Sequence, residues 1–351
     1  MFFRTAFTVL CLLISSTTLR ADNILLNPSH PDRYSVVKGD TLWDIAARFL
    51  QNPWKWPEVW EYNPQIKNPD LIYPGDTISL TYVDGKPRLT LHRGSQGNRV
   101  GITKLSPKIR TSEIKTAIPL IPIGAIQQFL KSAHVVAENE LDRAPYIVSF
   151  AEGRLLGSAG DKVYVRSITD DTTAENYKVL RAGHAYNDGE TGEILGYEAI
   201  HVADSYLQRT GDPATLLLSR TTQQVKIGDR LVPAGDDLML LSYIPHKADK
   251  NVNGRIISVL DGVSQIGQYN VVVLDRGTRN GIEVGHFFDI YQSGIKVRDT
   301  VMDFDTGRDI VTLPDEKAGV LMVFRTFERV SYALVMYANR PLHAMDSIRN
   351  Y

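Results

Sequence analysis

Hydrophobic positions recur along this chain with two different periods. Leu42, Ile45, Ala46 and Phe49 follow helical spacing and predict one buried helix face. From residue 146 onward the period falls to two. Residues 163–168, 215–219, 255–260, 270–274 and 331–337 alternate as strands, with turn signals at short intervals that favour small barrels or sandwiches over βαβ units. Between these regimes, residues 83 to about 125 show low periodicity with scattered proline and glycine, which predicts an extended tether. Residues 126–136 predict a short helix with Ile126, Phe129 and Leu130 on one face, and residues 139–141 continue that corner.

The first 60 residues after the leader carry a dense set of local signals. Residues 35–38 read as a short strand turned by Gly39-Asp40. Thr41 and Asp44 form a capping box, the hydroxyl accepting the Asp44 amide while the carboxylate returns the bond. A second helix starts with Pro57 in its first position, where the missing N–H costs nothing, and ends at Asn63-Pro64. Tyr73-Pro74-Gly75-Asp76 places proline and glycine for a type II turn into a strand over 77–82. All four tryptophans, Trp43, Trp54, Trp56 and Trp60, fall within these residues. They suit a sugar platform, but in so small a domain they are better read as core, since one buried ring supplies a large share of its stability.

Residues 33–82 resemble a LysM module, a βααβ domain that binds N-acetylglucosamine polymers. The resemblance implies a shallow groove with Gly39, Asp40, Thr41 and Leu42 on one wall and Asp70, Leu71, Ile72 and Tyr73 on the other. Turn amides and carbonyls would bond the N-acetyl group, and Leu42 or Ile72 would cover its methyl. The link over 52–57 is expanded relative to the usual pattern and leaves both walls intact. One such module binds short glycans weakly, so useful anchoring implies several copies in an assembly.

The β region contains a weak internal repeat. Residues 177–186 are similar to 281–291, 196–203 to 319–326, and 225–231 to 342–348, the last two pairs at offsets of 123 and 117. The expected fold is therefore a small α+β LysM domain followed by two related barrel- or sandwich-like β-domains: LysM 33–82, tether 83–145, β-domains 146–237 and 238–351. This order resembles LysM-containing secretin-associated proteins of type IV pilus systems, whose C-terminal portion is similar to that of a flagellar basal-body assembly protein. It implies a periplasmic adaptor between the wall and an outer-membrane secretin ring.

Residues 1–21 read as a cleavable signal peptide, with Arg4, an apolar run over 6–14 and Ala21 before the cut. Its removal takes away Cys11, the sole cysteine. The remaining chain then has no thiol nucleophile and fits an oxidising periplasm. Without Arg4 and Arg20 there are 37 basic against 40 acidic residues, and no basic stripe with interleaved aromatics points to nucleic acid.

Catalytic and metal motifs are missing from the pattern. His30, His92, His134, His184, His201, His246, His286 and His343 are scattered, without His-x-His or His-Glu-x-x-His. His184 and Asp188 supply half of one metallopeptidase signature. Asp249, Asn251 and Asn253 begin a calcium loop, but Leu260 stands where its glutamate belongs, so Asn253-Gly254 reads as a hairpin turn. Residues 188–193 read as an acidic surface turn. No metal or cofactor is expected, and the chain reads as a non-enzymatic wall binder. The alternatives are a carboxylate-based peptidoglycan hydrolase or a flagellar basal-body accessory protein.

Overall fold

The computed structural model describes residues 24–60, 72–93, 121–168, 174–235, 243–260, 265–298 and 310–350. The expected leader and the Asn63-Pro64 helix stop lie outside them. The chain forms two compact units, Met1–Ile118 and Pro119–Tyr351.

In the first unit, β1 (Arg33–Ser35) leads to α1 (Leu42–Phe49), a 3-10 turn at Pro53–Lys55, α2 (Trp56–Trp60), β2 (Thr77–Val83) and β3 (Lys86–His92). The Thr41–Asp44 capping box is formed and starts α1. Pro57 occupies the second position of α2, because the 3-10 turn carries the chain into it one residue early. The four tryptophans are at most 5% exposed, and Ile45, Phe49 and Val59 are fully buried. The strand expected over 35–38 sits two residues earlier. Val36 N–H and C=O are instead spent on the Asp76 carbonyl and Gly75 amide, both at 2.8 Å, which frees 37–40 to turn.

Within the tether expected over 83–145, described residues form regular elements. β3 pairs with β2 along its whole length, and Leu89 and Leu91 join the core. Further on, α3 spans Ile123–Ser132, and the chain then leaves the helix as β4 (Ala133–Val136), where a continuing helix was expected. Pairing with a strand of the large sheet overrides the local helical pattern there.

The second unit continues with α4 (Glu140–Arg143), β5 (Tyr146–Phe150), β6 (Leu156–Gly157), β7 (Lys162–Arg166), β8 (Asn176–Asn187), β9 (Ile194–Arg209), β10 (Ala214–Thr221), β11 (Val225–Lys226) and β12 (Arg230–Pro233). Then follow β13 (Asn253–Val259), β14 (Val271–Leu274), β15 (Phe287–Gln292), β16 (Lys296–Arg298), β17 (Ile310–Thr312), β18 (Glu316–Thr326), β19 (Ser331–Ala338) and β20 (Ser347–Arg349). The first sheet runs β10-β7-β5-β12-β8-β9-β4, and an added β10–β9 pairing closes six of its strands into a ring with β4 outside. The later strands form a closed barrel, β13-β14-β19-β18-β15-β20. Taken from its first strand, each ring follows the same order. Alternating aliphatic residues fill both interiors, Val163, Val179, Leu216 and Leu231 in one and Ile256, Leu274, Leu321 and Val335 in the other.

The strand registers correct the sequence repeat. Val165 pairs with Ile147 and Ala214, as Leu274 pairs with Ile256 and Ser331. Leu180 pairs with Arg230 and His201, as Tyr291 pairs with Ser347 and Lys317. The match of 225–231 with 342–348 keeps this register. The other two matches do not: Gly183-His184 lies inside β8, whereas Gly285-His286 precedes β15.

Candidate functional site

A single turn chemistry recurs before strands and before α1. In Val37–Asp40, Tyr73–Asp76, Ser158–Asp161, Lys226–Asp229 and His343–Asp346, the first residue's N–H donates to the carboxylate three residues on, at 2.7–3.0 Å. The third residue has positive φ, from 76° at Met345 to 102° at Gly39, which explains the repeated Gly-Asp pairs.

Two of these turns overlap the expected groove walls, at Gly39-Asp40 and at Tyr73. The Val36–Asp76 and Val36–Gly75 backbone bonds hold them side by side. Gly39 is exposed, and a Cβ there would meet nothing within 4 Å, so the backbone of the first turn faces open space. Asp40 Oδ2 accepts from Val37 N–H at 2.9 Å and from the Tyr34 hydroxyl at 3.0 Å. Burial and the Asp40 carboxylate push the Tyr34 phenol up, and the Arg48 guanidinium lies 4.5 Å over its ring. Tyr34, Val36 and Asp76 hold the wall in shape, and the sequence reading did not single them out as site residues.

The structure changes the roles of other groove residues. Thr41 is 4% exposed, its hydroxyl tied into the capping box. Leu42 and Ile72 are 1% and 0% exposed. Both side chains point into the core and neither can cover an N-acetyl methyl, a role the sequence reading gave them. The first turn of α1 faces inward here, so these positions can offer a glycan their backbone. Tyr73 is half-buried and donates its amide to Asp76. Asp70 and Leu71 lie outside the described residues.

Histidines that look scattered in sequence do meet once. Ligand atoms of His246, Glu283 and His286 lie within 4.8 Å of one another. His286, however, fills the aspartate place of the recurring turn, its Nδ1 accepting from the Glu283 amide at 3.1 Å. That bond leaves the ring proton on Nε2 and takes the other lone pair, so the ring is committed to the turn. His246 Nδ1 lies 3.1 Å from the Ile244 carbonyl. Burial, then the neighbouring His246, holds His286 below the usual imidazole range.

Two motifs from the sequence resolve differently. Asn253 and Gly254 start β13, paired with Arg349 and Ile348, so no hairpin turn forms there. Gly254 is needed for closeness: a Cβ would lie 2.7 Å from Asp275 Oδ1 and from Arg276 Cγ. Residues 188–193 form an acidic turn exposed over 190–193, with Asp188 half-buried. Asp188 accepts the Glu190 and Thr191 amides at 2.9 Å and pairs with Arg276 of the second barrel, which leaves its carboxylate unavailable to His184.

The LysM domain model matches residues 34–81. An uncharacterized protein of Bacillus subtilis (strain 168), YqbP, is 36% identical over 62 residues, covering 15% of this chain and 28% of that protein. The chain thus spans well under two thirds of that relative. Among the described residues, no helix is long and apolar enough to cross a membrane. Residues 34–81 therefore form a LysM domain, a binding module of the kind that takes peptidoglycan- or chitin-type glycans, and not a catalytic one.

Proposed function

We propose that residues 33–82 bind the N-acetylglucosamine units of peptidoglycan through the backbone of the turns at 39–42 and 70–73. The observation that carries this reading is the adjacency of the Val37–Asp40 and Tyr73–Asp76 turns, clamped through Val36 and open above Gly39. Backbone N–H and C=O groups of turns suit an N-acetyl amide, which needs one donor and one acceptor.

The chain is then a non-enzymatic periplasmic anchor, exported by a cleaved leader, whose β region docks an outer-membrane secretin-type assembly of a type IV pilus. The resemblance of the chain order to secretin-associated proteins supports this partner. The shared strand order of the two rings supports a duplicated pair of β-domains, 146–237 and 238–351.

Retention on purified sacculi tests the glycan half. The full chain should sediment with wall material, and a chain lacking residues 33–82 should not; equal retention would sink the reading. Zymography should leave no cleared band. For the second half, affinity capture from envelopes should recover a secretin, and its repeated absence would overturn that assignment.

A further inference from the structure

The recurring turn is built at one place on a different acceptor. In the five turns described above the amide is taken by an aspartate, and Gly267 and Gly277 donate in the same way to Asn270 and Asn280. At Glu283–His286 the acceptor is an imidazole nitrogen, Nδ1, with Gly285 at φ 98° before it. A carboxylate remains an acceptor down to about pH 4, and a carboxamide at any pH. An imidazole loses its acceptor nitrogen when it protonates, at about pH 6.5 in the open.

This turn also carries a strap. Residues 243–248 lead into the second barrel and lie on the turn where β15 begins. His246 N–H donates to the Gly285 carbonyl at 3.1 Å, and His246 and His286 form a parallel bridge. Their rings stand 4.7 Å apart, tilted by 66°. The strap comes so near that a Cβ at Gly285 would lie 2.5 Å from the Ile244 carbonyl oxygen. On its other side the turn is part of the barrel. The Gly285 amide and the His286 carbonyl bond Val323 of β18, both at 2.8 Å. Further along, the Asn350 side-chain amide donates to the Ala248 and Lys250 carbonyls. One end of the strap thus rests on an amide that does not titrate, and the other on two histidines.

His286 is 3% exposed, and its Nδ1 faces the Glu283 amide hydrogen. A proton can be taken there only when the turn opens. The Ile244 carbonyl, 3.1 Å from His246 Nδ1, keeps that ring's proton on Nδ1, so a second proton goes to Nε2 and charges the strap beside the turn. The charged groups that face His286 are His246 and Asp249 from the strap and Glu283 from its own turn. β18 adds Arg325, which acts on Tyr243 at the head of the strap. Burial, then His246, outweighs the two carboxylates, so the closed turn disfavours the proton. With the folded-state value depressed, the contact is complete above the ordinary 6.5 and weakens as pH falls below it.

We propose that the Glu283–His286 turn is a proton-operated catch on the strap. Acidification through the imidazole range opens the turn and lifts residues 243–247 from the barrel about the Asn350 anchor. The Gly285 carbonyl then loses its strand partner, and the connection from the first ring into the second barrel lengthens. The Asp188–Arg276 pair persists to much lower pH, so the rings stay joined while the catch is open. Nothing in this device draws on the glycan site.

The full chain in a Cys11→Ser background, spin-labelled at Ile244→Cys and Tyr337→Cys, reads the opening as a distance. At pH 7.5 a single distance should be present. Towards pH 5 a second, longer one should appear, its share rising by up to about tenfold per pH unit, the limit for one proton. The far-UV circular dichroism spectrum should not change. His286→Asp, which supplies the acceptor used in the other turns, should abolish the longer distance at pH 5. His286→Asn is the uncharged version of the same test, should the buried carboxylate prevent folding. A single distance in the parent chain down to pH 5, or a His286 variant that opens as the parent does, would overturn the proposal. So would a Tm raised by Zn²⁺ alone at pH 7.5 and not raised in His246→Ala, which would assign the histidines to a metal ion.

Discussion

Asp188, at the tip of the first ring's hairpin, forms a 3.0 Å ion pair with Arg276 of the second barrel. Both side chains are largely buried, at 13% and 18% exposure. Around them Glu190 faces Arg255, Arg329 reaches Glu193, and Asp275 Oδ2 accepts the Gly189 amide. One hairpin thus latches the two rings through charge-assisted bonds, which are stronger than neutral ones when shielded from water.

This latch should be acid-sensitive. Hydrogen bonds from the Thr191 amide, with help from Glu190 and Arg276, outweigh burial and hold the Asp188 carboxyl at about 2, below its ordinary 3.8. A depressed folded-state value means the contribution is complete above roughly pH 4 and lost as pH falls through about 2. Asp188→Asn should cost about 1–3 kcal/mol at neutral pH. In melts from pH 7 downward, the gap between the two proteins should close near pH 2. A gap that persists there would refute the ionic account.

The glycine beside the latch should be irreplaceable. A Cβ at Gly277 would lie 2.4 Å from the Phe327 carbonyl oxygen and 2.6 Å from that of Glu328. These carbonyls accept from Thr278 and Arg279, so the backbone cannot yield without losing those bonds. Gly277→Ala should destabilise the second unit by about 1–3 kcal/mol, while Gly235→Ala, with nothing within 4 Å, should leave its Tm unchanged.

Trp43→Ala should act on the fold and not on glycan contact. The ring is 3% exposed and lies 6.2 Å from Trp54. Truncation should cost about 3–5 kcal/mol, and sacculus retention should fall only in step with the folded fraction measured by near-UV circular dichroism.

Asp40→Ala should do the reverse. It removes the acceptor of Val37 N–H and the Tyr34 hydroxyl at an exposed turn, a cost of about 1 kcal/mol. The circular dichroism spectrum should be preserved, with sacculus retention falling severalfold. Full retention would place glycan binding elsewhere on the module.

Thr41→Ala should cost about 1 kcal/mol of first-unit stability, read in urea, because the hydroxyl caps α1 through the Asp44 amide at 3.1 Å.

Much of the first unit is legible in order along the chain, because its signals are local. The capping box, the Leu42–Phe49 helix face and the Gly-Asp turns each depend on residues within four positions of one another. The strands of the second unit are likewise visible as alternation. What misled the sequence reading was context. Leu42 and Ile72 look like groove residues by position, yet both are buried, Leu42 on the inward face of its helix. Ala133–Val136 looks helical until β9 is there to pair with it.

The sequence by itself determined a glycan-binding module and a β-rich remainder, since turn chemistry and hydrophobic period are short-range properties of the covalent chain. Only the tertiary structure decided that two rings share one strand order, that Asp188 finds Arg276 across 88 residues, and that the β16–β17 ribbon is left exposed at Ile310. Such pairings depend on burial and register over long loops, where no local residue preference distinguishes one partner from another.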